Sequence, residues 1–192
     1  MSDTLYEYYD DYNTVDTTKD TVTHWMAQTF TVGTVGENVD FNVTSVKARV
    51  YKVGTPGTLT VSIRGTSGGA PTGGDLTSDV RDATGFLTPM GQLEEFVFDS
   101  PVLLKAGTTY AIVLVHSIVS TLNYVGWRLK NPDPAYSGGN YYYNRNNAGW
   151  IPPLAHDGTF YVYGLAVIKK AVVGAVARKL GTPTPMNVGV GM

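Results

Sequence analysis

The sequence predicts an all-β protein, an antiparallel two-sheet β-sandwich of jelly-roll type with extended N- and C-terminal arms. Three observations predict it. Glycine (22) and tyrosine (13) are abundant and only 16% of residues are charged, whereas a helical bundle needs Glu, Lys, Arg and Ala on its exposed faces. Short apolar runs alternate with period two and are separated by turn residues. No long helical periodicity interrupts the body of the chain.

Three zones divide the sequence. Residues 1–24 form an acidic, tyrosine-rich arm, with Asp3, Glu7, Asp10, Asp11, Asp16 and Asp20 against the single base Lys19. Residues 25–167 form the sandwich. Residues 168–192 form a basic arm containing glycine and proline, with Lys169, Lys170, Arg178 and Lys179 and no acid.

Within the body, the first strand is expected at 26–32. In V-T-S-V-K-A-R-V-Y-K-V, the alternation turns Val46, Ala48 and Val50 inward and Lys47, Arg49 and Tyr51 outward. The turn G-T-P-G follows, and then T-L-T-V-S-I-R with Leu59, Val61 and Ile63 inward. The two strands read as a hairpin. The segment 65–74 is glycine-rich and reads as a loop. Further strands are expected at 76–81, 93–98, 109–116, 123–129, 140–144 and 159–167. T-Y-A-I-V-L-V-H is apolar on both faces, as a strand central to a sandwich should be. About nine short strands of this kind suit two packed antiparallel sheets.

The totals also exclude function classes. A net charge of −2 gives no general electrostatic case for nucleic acid. The absence of cysteine removes disulfides, thiolate nucleophiles and zinc–thiolate sites. No run approaches the roughly 20 apolar residues of a membrane span. The start, M-S-D-T-L-Y-E-Y-Y-D-D-Y, has neither the basic opening nor the apolar stretch of a signal peptide. The chain is therefore expected to be made in a host cytoplasm and to reach its destination without a secretion signal of its own.

W-M-A-Q-T-F-T-V, V-T-S-V-K-A-R-V-Y-K-V-G-T-P-G-T-L-T-V-S-I-R, G-G-A-P-T-G-G-D-L and F-D-S-P-V-L-L-K-A-G-T-T-Y-A-I-V-L together resemble a recurring domain. It is similar to the choice-of-anchor type, a jelly roll related in look to carbohydrate-binding modules. Such domains occur in prokaryotic surface proteins and in tailed-virus structural proteins. The resemblance spans roughly residues 25–165 and rests on turns, strands and aromatics. It implies a sandwich and no catalytic residues. With neither signal peptide nor sorting segment in this sequence, it implies a virion rather than a cell surface. The expectation is a non-catalytic structural protein of a tailed-virus particle, head-decorating or tail-associated. Its partners would be other virion proteins and further copies of itself.

Searches for chemistry along the sequence are unproductive. His24, His116 and His156 lie in separate segments without metal-ligand spacing. Adjacent Glu94 and Glu95 would point to opposite faces of a strand. Ser67 has no placed histidine. Asp75, Asp79 and Asp82 are the loop oxygens from which a calcium site would have to be drawn. No cofactor or metal is called for.

One stretch stands out, Y-S-G-G-N-Y-Y-Y-N-R-N-N-A-G-W at 136–150. Aromatic faces stack on sugar rings and asparagines bond hydroxyls, so Trp127, Tyr141, Tyr142, Tyr143, Asn144, Asn146, Asn147 and Trp150 are the candidate contacts to a glycan or a neighbouring subunit. Pleat geometry favours core and edge roles for most of them, with Tyr141 and Tyr143 on one face and Tyr142 on the other. In the arms, Tyr6, Tyr8, Tyr9 and Tyr12 at one end and Lys169, Lys170, Arg178 and Lys179 at the other are expected to dock on neighbouring subunits.

Overall fold

The computed structural model describes residues 3–12, 14–15, 24–88, 91–118, 120, 122–145, 148–151 and 155–167. The strands are β1 (Thr4–Tyr9), β2 (Thr14–Val15), β3 (His24–Thr31), β4 (Phe41–Val53), β5 (Thr58–Ser67), β6 (Ala70–Asp82), β7 (Gln92–Leu104), β8 (Thr109–His116), β9 (Tyr124–Lys130), β10 (Tyr141–Arg145), β11 (Asp157–Gly158) and β12 (Phe160–Ala166). They form two antiparallel sheets, an open sandwich not closed into a barrel. A seven-stranded sheet runs β1-β12-β4-β9-β11, with β2 against β9 and β7 against β4. A five-stranded sheet runs β10-β3-β8-β5-β6.

The core lies between the sheets and follows the alternation. Val43, Val46, Ala48 and Val50 of β4 face Leu59, Val61 and Ile63 of β5 and Ile112 and Leu114 of β8 across one cluster. Phe30 packs on Phe160 with ring centroids 6.0 Å apart, and Trp127 meets Tyr141 edge-on at 6.0 Å. The Trp127 indole N–H donates to the Thr159 carbonyl at 2.8 Å, which satisfies its only polar atom inside the core. β8 is the middle strand of its sheet and is apolar on both faces. Tyr110, Ile112 and Leu114 enter the main core, while Ala111 and Val113 join Ala27 and Tyr142 on the outer side.

Three sequence expectations are corrected. β4 and β5 are not a hairpin: they lie in different sheets. Both edges of β4 are already occupied, one by β7 and the other by β12 and β9. The connection between Val53 and Thr58, with Gly54 and Gly57 at φ +62° and +75°, therefore crosses from one sheet to the other. Alternation specifies which face of a strand is inward and leaves its sheet open.

The segment 65–74 is not a loop. β5 and β6 continue through it and join at Gly68-Gly69, whose positive φ values of 58° and 85° suit a two-residue turn that matches strand twist. Tyr51 faces outward, as expected, and is nonetheless buried at 5% exposure on that face, under Arg128 and beside Tyr124. Its ring lies where a Cβ on Gly126 would be, 2.2 Å away, so the glycine makes room for it.

The N-terminal zone is not wholly an arm. β1 pairs with β12 as the edge strand of the larger sheet. Tyr6 is buried, its ring stacked on Phe41 at 3.9 Å. Local acidity concealed a strand whose alternate residues complete the core. Its acids bind this same sandwich, Asp10 to Arg49 and Asp11 to Lys130 at 3.8 and 2.8 Å. Residues 13, 16–23 and 168–192 lie outside the described residues.

Candidate functional site

Three surfaces emerge once the sequence candidates are placed. The first is the outer face of the five-stranded sheet. Pleating sends Met26, Gln28 and Phe30 of β3 inward and Trp25, Ala27 and Thr29 outward. β10 pairs with β3 in register, Tyr142 opposite Ala27 and Asn144 opposite Trp25. Tyr141 is thereby in the core, as is Trp127, and neither has surface to offer a ligand: they are 1% and 0% exposed. Tyr142 fills the outer cluster and is also buried.

Trp150 bridges back to Asn144 and sets its ring 6.2 Å from Trp25 at 58°. Both tryptophans keep part of their surface. The Arg64 guanidinium lies over Trp25 at 5.1 Å and is held by Asp75 at 2.6 Å. Tyr143 is half-buried beneath Arg145. Trp25 was missed from the sequence: strand alternation through W-M-A-Q-T-F turns it to the face opposite Met26, the outward side, but only the β3–β10 pairing brings it beside Trp150. Asn146 and Asn147 lie outside the described residues.

The second surface is a polar cavity of about 510 Å³ at the other end of that face. Its walls come from the loop before β10 (Tyr136, Ser137, Asn140), from Thr29, and from His156 and Asp157. The loop is tied down. Thr29 Oγ1 accepts from the Asn140 amide at 2.8 Å, and the Thr31 hydroxyl donates to the Gly138 carbonyl at 2.8 Å. A Cβ on Gly139 would stand 1.9 Å from the Thr29 carbonyl oxygen, so only glycine permits this approach.

Two buried carboxylates flank Tyr136. Asp157 accepts from the Tyr136 backbone N–H at 2.9 Å and from Gln28 Nε2 at 3.3 Å. Gln28 Oε1 in turn accepts from the Gly158 N–H at 2.8 Å. Glu7 accepts from the backbone N–H groups of Gly33, Thr34 and Val35 at 3.0, 3.2 and 2.8 Å and from the Tyr136 hydroxyl at 3.2 Å. Burial raises the Asp157 carboxyl to about 6 and pushes Glu7 and the Tyr136 phenol upward as well. Glu7 is saturated by donors and is structural. The His156 Nδ1 beside Asp157 is buried without a hydrogen-bond partner among the described residues.

The third surface is the flank where edge strands β6 and β7 meet. Thr77 donates to the Ser100 carbonyl, Arg81 to the Glu95 carbonyl, and Asp79 accepts from the Val97 N–H. Facing solvent beside these links, Val80 and Val97 are 58% and 57% exposed, with Leu76 and Leu93 nearby in sequence also exposed. The two strands carry Asp75, Asp79, Asp82, Glu94, Glu95 and Asp99 against the single base Arg81.

The other sequence candidates are accounted for individually. His116 is buried with Nδ1 3.1 Å from the Ile118 carbonyl. Glu94 and Glu95 do take opposite faces: Glu94 is buried against Arg81 and Glu95 is exposed beside Lys47. Asp75, Asp79 and Asp82 are engaged by Arg64, the Val97 N–H and the Thr84 N–H respectively, so they do not converge on a cation. No group of three metal-ligating side chains occurs among the described residues.

Of the arm tyrosines, Tyr8 stacks on Tyr161 at 6.0 Å, Tyr9 lies against Tyr136, and Tyr12 lies under Arg49. Lys169, Lys170, Arg178 and Lys179 lie outside the described residues. No helix among those described is long and apolar enough to cross a membrane. The chain matches no family model and no curated protein.

Proposed function

We propose that this chain is a non-catalytic structural protein of a tailed-virus particle, head-decorating or tail-associated. Copies assemble by seating the basic C-terminal segment of one on the β6–β7 flank of the next. The observation that carries this reading is the flank, where large apolar side chains stand exposed on two strands that carry six acids and one base, three of those acids being paired with Arg64, Arg81 and Lys47. A free monomer gains nothing from such a strip, whereas apolar surfaces rimmed by charge mark contact sites. Residues 168–192 supply the complement: four bases, no acid and five valines. Opposite charge steers the encounter and sets register, and valine burial supplies affinity. The sandwich and its resemblance to modules of tailed-virus structural proteins support the particle as the setting.

Sedimentation velocity tests the contact. The full chain should self-associate, and both the Val80→Asp/Val97→Asp double variant and a chain ending at Val167 should sediment as monomers with unchanged circular dichroism. Association that survives both changes contradicts the reading.

A second reading, recognition of a host surface glycan, is favoured by the partly exposed Trp25–Trp150 pair with Arg64 and Asp75 at its margin. Flat aromatic faces of this kind stack on sugar rings. Binding on a glycan array that Trp25→Ala abolishes, at unchanged melting temperature, supports it. An array that stays blank contradicts it.

A further inference from the structure

We propose that the polar cavity walled by Tyr136, Ser137, Asn140, His156 and Asp157 binds one hexose-sized, polyhydroxylated residue, the terminal sugar of a glycan whose remainder runs along the outer sheet face. For its ligand class the inference rests on the glycan reading, but it names a different set of residues.

Size and polarity decide the class. A cavity of about 510 Å³ admits a single small ligand. Drug-like pockets are mostly apolar, whereas hydroxyl, carboxamide, imidazole and carboxylate groups line this one. An apolar ligand would strand them, and a buried polar group without a partner is costly. An anion would approach Asp157 with buried Glu7 just behind Tyr136. A divalent cation would find a single carboxylate, Asp157, among the lining residues. A sugar hydroxyl both donates and accepts, so it serves the Asp157 carboxylate, the Ser137 hydroxyl and the Asn140 carboxamide alike.

The cavity is also preorganised. Asn140 and Gly138 are fastened through their backbones to Thr29 and Thr31, which leaves the exposed Ser137 and Asn140 side chains at the rim. Little ordering entropy remains to be lost on binding. The aromatic pair stands at the far end of the same face. Trp25 and Thr29 are four residues apart on β3, about 13 Å at the rise of a strand. An oligosaccharide can span that distance, its end in the cavity and an inner ring at the tryptophans.

Amide-resolved NMR titration of the full chain with the methyl glycosides of glucose, galactose, mannose and N-acetylglucosamine tests the proposal. At least one should give saturable shifts centred on the amides of Gly138, Gly139, Asn140 and Gly158. Asn140→Ala, whose side chain is exposed and whose backbone bonds persist, should weaken binding about tenfold, the loss expected for a hydrogen bond in a site of this kind. Asp157→Asn should weaken it as well, and Tyr8→Ala, on the edge strand of the other sheet, should leave this monosaccharide binding unchanged. Absence of saturable shifts with all four glycosides overturns the proposal, as do shifts that survive Asn140→Ala or centre on the tryptophans. The last outcome would leave the aromatic reading standing, so the two fail separately.

Discussion

Asp157 is 1% exposed, and its donors are the backbone N–H groups of Tyr136 and Ala135 and, at 3.3 Å, Gln28 Nε2, whose combined effect on its charge is smaller than that of burial. Desolvation therefore outweighs hydrogen bonding, and its carboxyl titrates near 6 instead of near the usual value for aspartate. Because the folded state holds this proton more tightly than the unfolded chain, the stabilising contribution is complete below about pH 4 and disappears as pH rises through about 6. Glu7 acts in the same direction. Relative to Asp157→Asn, wild-type stability should fall by roughly 1–3 kcal/mol between pH 4 and pH 7, read from urea unfolding across that range. Parallel pH curves for the two proteins would show that the carboxyl titrates normally. None of this was legible in the sequence. Asp157 meets Gln28 and Tyr136 only because two sheets and a loop converge, and H-D-G carries no local signal of that.

At the scale of the element, strand identity was largely legible and strand partnership was not. The alternations in β4 and β5 and the two-faced apolarity of β8 arise directly from burial on one or both faces, so a single segment records them. The pairing of β4 with β12, β9 and β7 depends on residues far along the chain, and a Gly-Pro turn looks alike whether it closes a hairpin or crosses between sheets. In and just after β1 the acids Glu7, Asp10 and Asp11 masked the period-two placement of Tyr6. That strand gives a clear contrast. Tyr6→Ala removes a ring buried at 3% exposure against Phe41 and should cost about 3 kcal/mol. Tyr8→Ala, at 40% exposure, should cost less than about 1 kcal/mol. Chemical denaturation of both variants checks it, and equal losses would mean that β1 is not held in the sheet. The candidate site was half legible. The stretch 136–150 does mark it, but through Tyr136, Ser137 and Asn140 at its polar start, whereas Tyr141 and Tyr142 are packed on the two faces of an edge strand.

Over the whole molecule, the candidate surfaces are distributed by face. The edge at β1 is bound by its own acids to the sandwich, the outer face of the smaller sheet carries the tryptophans and the cavity, and the opposite flank at β6 and β7 stands apolar and acidic. The flank is the place proposed for the next copy, and the chain's composition allows it to be probed cleanly. No cysteine is present, so a single introduced thiol reports one position. Val97→Cys lies at the centre of the flank, and Tyr8→Cys lies on the opposite edge strand of the larger sheet. The most direct measurement is the rate of maleimide labelling at each thiol, in the full chain and in a chain ending at Val167, at concentrations where the full chain associates. If the C-terminal segment of one copy covers the flank of the next, Val97→Cys labels several-fold more slowly in the full chain than in the shortened one, while Tyr8→Cys labels equally in both. Equal labelling of Val97→Cys in the two chains would contradict that contact.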